Sequence, residues 1–280
     1  RLLVIVDGLS ERRVQDAQEQ VLAFAQAQKV RCLIVTSRTP PPEGLLFRQI
    51  DVGPLDPEHL DAFTAVYTDA ESYEGVREGL RQLTGDKPIS PLLARLAIAR
   101  LLDGDSLPDS YPELVQEYVL ALRPRGERGL AEGDFRRAAL LAAWACIEEQ
   151  LAPRDVADEY LRGFLAREQG AYLDNSGSEL QPAEVLDQLV QCNLLQSTVI
   201  HMAGRLRFAE DPIAEYLAAM YAKTQGEELV TRVKYRLSSS PEGSEGFAAA
   251  LEQVLQDAGS RTRITPPKTP ERAFGTGTLS

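Results

Sequence analysis

RLLVIVD, residues 1–7, decides how the fold begins. It is a continuous apolar run closed by an acid, the pattern of a strand buried on both faces in a parallel sheet. From about Arg12 to Gln28 the spacing turns helical, with Val14, Ala17, Val21, Phe24 and Ala25 on or near one face, and VRCLIVTSR (30–38) supplies a second buried strand. Strand, helix, strand is a βαβ unit, and the tips of its parallel strands are where ligands bind. Beyond the prolines at 40 to 42, LLFRQIDV (45–52) reads as a third strand and the last of the sheet. Because the chain opens on Arg1 already in a strand, it is expected to begin within a domain.

From Leu55 the period is helical. Asp56 with Pro57, and Ser90 with Pro91, have the form of helix starts: a side-chain acceptor at the cap and a proline in the first turn. The expected helices cover about 57–68, 91–102 and 112–122, and the polar, glycine-containing stretch 123–133 marks a subdomain boundary. A nearly all-apolar helix over about 134–150 (ALLAAWACI) belongs in a core, followed by helices over 153–167 and 182–194. STVIHM and RLRFA around Ala203 and Gly204 read as two short strands forming a wing. DPIAEYLAAMYA then opens a further helix capped by Asp211, one amphipathic helix covers 246–258, and a tail rich in Pro, Thr, Gly and Ser from about Ser260 is expected to be disordered.

Composition narrows the function. Thirty Lys and Arg against 42 Asp and Glu leave a formal charge of −12 over 280 residues, which argues against a surface built for nucleic-acid phosphates or anionic membranes. The helix PAEVLDQLVQCNLL carries no Lys or Arg, so a DNA-reading winged helix ranks last. No apolar run approaches a membrane span. Cys32, Cys146 and Cys192, odd in number and far apart, read as buried reduced thiols in a cytoplasmic protein. With two histidines, His59 and His201, a histidine-rich metal centre cannot be built.

Two places could carry chemistry. Asp7, delivered by a strand to the sheet edge with Glu11 four residues on, is how many nucleoside triphosphatases set a Mg²⁺-organising acid beside a water-activating one. Thr36, Ser37 and Arg38 end the neighbouring strand, where a guanidinium offers forked hydrogen bonds to a γ-phosphate.

RLLVIVDGLSE, VRCLIVTSR, KPISPLLARLAI and RLRFAEDPIAEYLAA, in this order and at these intervals, resemble the NACHT-type NTPases of the STAND class, particularly bacterial members, over roughly residues 1 to 222. The resemblance implies a module that binds ATP or ADP with Mg²⁺ and switches between a closed monomer and an open, self-oligomerising signalling platform. Bacterial relatives serve in signalling and anti-phage defence, eukaryotic ones in innate immunity. Effector and sensor partners are not specified by these residues. By this likeness Asp7 is the Walker B metal ligand, Glu11 the water-activating base, Arg38 the sensor 1 arginine, and Pro91 the proline beside the adenine. Two positions depart from the family. Ser10 replaces the first acid of the pair after Asp7, and Glu210 stands where a histidine touches the ADP β-phosphate. The phosphate loop GxxxxGK[ST] does not occur in these residues, and the family places it upstream. The isolated chain is therefore expected to bind nucleotide poorly and to hydrolyse essentially none.

The expected fold is α/β plus α: the C-terminal part of a P-loop parallel sheet (1–54), a helical domain (55–125), a winged-helix domain (126–222), a short helical extension (223–259) and the tail (260–280). The alternative is a nucleotide-independent helical scaffold descended from such an ATPase.

Overall fold

The structure, a computed structural model, describes residues 3–6, 17–28, 30, 32–36, 50, 53–85, 87–167, 170–200, 203–239, 241 and 243–260. The chain is α/β at its start and predominantly helical after it, with small sheets. β1 (Leu3–Val6) and β2 (Cys32–Val35) pair in parallel, joined by α1 (Ala17–Ala27), with register from Leu3 against Cys32 to Val6 against Val35. This is the βαβ unit read from the sequence. Its burial differs from the expectation. Leu3, Ile5, Cys32 and Ile34 share one face, and that face is exposed (Ile5 63%), while Val4, Val6, Leu33 and Val35 opposite are half-buried. Two strands with successive side chains on opposite faces cannot bury both faces by themselves. Cys32 is accordingly an exposed thiol, not a buried one. The third expected strand falls almost wholly outside the described residues.

Helices α2 (Pro57–Tyr67), α3 (Tyr73–Thr84), α4 (Pro91–Leu102) and α5 (Tyr111–Ala121) follow. Three begin at side-chain caps: Asp56 accepts from His59 N at 2.8 Å, Ser90 from Leu93 N, and Ser110 from Glu113 N. Each has proline in its first turn, where the missing N–H costs nothing. α3 has neither device, and the sequence reading did not include it. It is held instead by Val76 and Leu80 on its buried face and by Asp61 of α2, which accepts from Arg77 (3.1 Å) and Arg81 (2.9 Å). A two-way main-chain bridge between Leu55 and Ile89 closes the unit.

The stretch 123–133 is tied down. Arg123 Nη1 donates to Leu130 O (3.1 Å) and to Asn175 Oδ1 (2.8 Å), and Asn175 Nδ2 donates to Gly126 O at 2.8 Å. Gly129 is required here: a Cβ on it would lie 2.2 Å from the Pro124 carbonyl oxygen.

Next come α6 (Glu132–Ile147), β3 (Val156–Ala157), α7 (Asp158–Arg167), β4 (Tyr172–Leu173), β5 (Glu179–Leu180), α8 (Pro182–Gln191), β6 (Leu195–Ile200), β7 (Ala203–Phe208), α9 (Asp211–Thr224), α10 (Glu227–Leu237) and α11 (Glu245–Ser260). The sheet order is β3-β7-β6, antiparallel throughout, so the strand entered before α7 pairs with the last strand. β4 and β5 form a separate hairpin. The helix expected to start at Pro153 starts at Asp158 because Val156 and Ala157 are drawn into the sheet against Leu206 and Arg205. Asn193 takes φ 59° after α8, the left-handed conformation Asn tolerates at a helix end.

α6 is apolar on nearly every side and sits in the core, packed on α9, which α11 covers from another side. Trp144 stacks on Tyr221 at 5.6 Å and lies 6.4 Å from Phe247 of α11. α10 was not expected: it follows Gly226, which offers no side-chain cap, and of its residues only Val233 is fully buried.

Candidate functional site

Asp7, Ser10, Glu11 and Arg38 lie outside the described residues, as does His201. Pro91 and Glu210 are described, and the elements that carry them meet. Pro91 is the first residue of α4, fixed by the Ser90 cap (Oγ to Leu93 N, 3.3 Å). Arg95, four residues on and hence on the same face of the helix, extends towards the start of α9. Its Nη2 lies 4.0 Å from Glu210 Oε1. Glu210 is the N-cap of α9, in extended conformation, and its side chain caps no main-chain N–H. Asp211, the first helical residue, is 3.8 Å from Arg207 of β7. The helix dipole favours both acids at this end.

Tyr118 of α5 completes the junction. Burial pushes its phenol up, the Glu210 carboxylate adds to the rise, and the Arg95 guanidinium opposes it. The Arg95–Glu210 pair is about half exposed on both sides (53% and 44%), and pairs so exposed contribute about 0–1 kcal/mol. As it stands, the donor set does not fit a phosphate. The carboxylate of Glu210 would repel one, and Arg95 is directed at that carboxylate. What the arrangement provides is one half-exposed guanidinium of α4 directed at the N-terminus of α9. Tyr216 and Leu217, later in the same motif, are core residues, 6% and 1% exposed.

Sequence reasoning reached Pro91 and Glu210 but missed Arg95 and Tyr118. The spacing of four from Pro91 was a usable signal for Arg95, whereas nothing local marks Tyr118. His59 is exposed and bonded to its own helix cap, Nδ1 to Asp56 Oδ1 at 2.9 Å. No group of three or more His, Cys, Asp or Glu able to hold a metal occurs among the described residues, and none of the described helices is long and apolar enough to cross a membrane. Searches against protein-family models and curated proteins return no match to this chain.

Proposed function

We propose that the chain is the Walker B to winged-helix portion of a NACHT-type switch of the STAND class, in which ATP or ADP governs opening and self-oligomerisation. The observation that carries the reading is that the two motif-bearing helices meet at the α4–α9 junction, not the junction's donor set, which as it stands does not fit a phosphate. The helix opened by Ser90 and Pro91 and the helix opened by FAEDP, read as the base-proximal and phosphate-proximal parts of one site, approach each other through Arg95 and Glu210. The order of elements supports it as well. Helix α6, strand β3, helix α7, the β4–β5 hairpin, helix α8, then β6 and β7, with β3 paired to β7, is compatible with a winged helix that carries a hairpin between its second and third helices. The parallel β1–α1–β2 unit before the helices is compatible with the end of a nucleotide-binding sheet.

The test uses the full-length product of the reading frame that encodes these residues. Purified, then denatured, it is expected to release ADP or ATP in stoichiometric amount. Glu210→His is expected to tighten ADP binding. Protein that carries no nucleotide and gains no thermal stability from excess Mg-ATP, where saturation near 100 times Kd adds about 2.7 kcal/mol, would favour the second reading, a nucleotide-independent scaffold. Ser10 and the acid at 210 are the observations on its side.

A further inference from the structure

We propose that the groove between α10 and the face formed by α6, β3 and α7 binds a small amphiphilic anion, a molecule with one carboxylate or phosphate beside an apolar portion. The groove encloses about 790 Å³, within the roughly 300–1,000 Å³ of small-ligand clefts. Its apolar side is formed by the stacked rings of Trp144 and Tyr221 with Leu229 and Val233. Arg154, Arg205, Arg232 and Arg236 all line it, and they are engaged to different degrees. Arg205 is committed to Asp155, through the carboxylate and through the main-chain oxygen at 2.8 Å. Arg236 donates to Glu148 O (2.7 Å) and Glu149 O (2.8 Å), capping the end of α6. Arg154, 14% exposed, pairs with Glu149 through a terminal nitrogen, but its buried Nε finds no acceptor among the described residues. Arg232, one turn before Arg236 and exposed, makes no ion pair among the described residues.

An orphaned buried N–H is costly; Arg154 Nε is closed to solvent, so an oxyanion held by the exposed Arg232 would satisfy it only as the Arg154 side chain turns towards the groove. The carboxylates of the groove limit what that anion can be. Glu148 accepts from the Tyr160 hydroxyl, Glu149 pairs with Arg154, and Asp155 pairs with Arg205. Glu228, a turn before Arg232, adds a negative charge at the rim. A single carboxylate or phosphate headgroup is therefore admitted and a polyphosphate is not. None of these residues belongs to the α4–α9 junction, so the site stands independently of the nucleotide reading.

Trp144 is the one tryptophan in the chain, and its emission reports on the groove. Titrated with phenyl phosphate at constant ionic strength, the chain should show a saturable change in that emission, at lower concentration than with inorganic phosphate, whose lack of a ring leaves the apolar side unused. Arg232→Gln, at an exposed position that folding does not depend on, should weaken phenyl phosphate binding about tenfold or more. Arg154→Gln should do the same. The absence of a saturable change at millimolar phenyl phosphate, or an unaltered affinity in Arg232→Gln, overturns the proposal.

Discussion

Truncating Phe247 to alanine asks whether α11 is part of the same folding unit as the helices before it. Phe247 is fully buried near the start of α11, its ring 6.4 Å from that of Trp144. Ala250, Leu251 and Val254 continue the same stripe at 1–2% exposure, the three-and-four spacing of a core-facing helix. Lys223 of α9 donates to Val254 O at 2.9 Å, fixing the register of the two helices. Removing a buried phenyl ring costs about 3–5 kcal/mol in lost transfer free energy and cavity. With a urea dependence of about 1–3 kcal/mol per molar, the midpoint should fall by roughly 2 M. The single tryptophan is the probe, since it sits where α6, α9 and α11 meet. Phe24→Ala on α1, at a side chain 47% exposed, is the control and should move stability by no more than about 0.5 kcal/mol. A loss under about 1 kcal/mol for Phe247→Ala, or an early transition that leaves Trp144 emission unchanged, would mean that α11 unfolds separately and that this account of the core is mistaken.

Other outcomes are as direct. The Asp56 carboxylate bonded to His59 raises the His59 pKa above 6.5, and the bonds from His59 lower Asp56 below 3.8. The pair thus supports α2 between about pH 4 and 6.5; its contribution is lost as pH rises through the His59 pKa and as it falls through that of Asp56. An NMR titration should show His59 above 6.5 in the native chain and shifted back towards it in Asp56→Ala. Thiol labelling should run in the order Cys32, Cys192, Cys146. Cys32 is exposed and Cys192 half-buried, and burial holds the Cys146 thiol at about 12, so Cys146 should react only on denaturation. Gly129→Ala should cost about 1–3 kcal/mol in a denaturation experiment, because the new methyl meets the main-chain oxygen of Pro124.

What the sequence disclosed and what it concealed follow one physical line. Helices announced by a cap and a proline, at Asp56 and Ser90, were legible because capping is local chemistry written within four residues; the helix at 112–122 was legible from its spacing, and its Ser110 cap emerges only in the structure. The apolar run of α6 was legible because few other environments accept such a helix. α3 and α10 were missed because each starts without a side-chain cap and owes its place to partners far along the chain: Asp61 for α3, and the carbonyls of Glu148 and Glu149, which receive Arg236, for α10. The β4–β5 hairpin was hidden in a polar loop for the same reason. Asp174 is 95% buried there only because the main chain and hydroxyl of Ser176 and the main chain of Ser178 bond to it. At the junction, Pro91 and Glu210 stood out as motif members, but the pairing of Arg95 with Glu210 across 115 positions is a tertiary fact. The spare donor of Arg154 is another, since it depends on what surrounds the groove.

The charge at residue 210 bears unequally on the two readings. A carboxylate at a phosphate position looks prohibitive when considered alone, because an unscreened pair of like charges at contact repels strongly. Glu210 is not alone: it faces Arg95, and both side chains are about half exposed. Water and counterions screen such a pair, so separating it costs no more than about 1 kcal/mol. A helix N-terminus and a guanidinium are both natural anion ligands once the acid turns aside. The Glu210 side chain makes no capping bond that would resist that rotation. The presence of an acid at 210 therefore weakens the nucleotide-switch reading by a small energy, equivalent to a few-fold in affinity. It supplies the scaffold reading with correspondingly little support, and the weight of that alternative falls on Ser10.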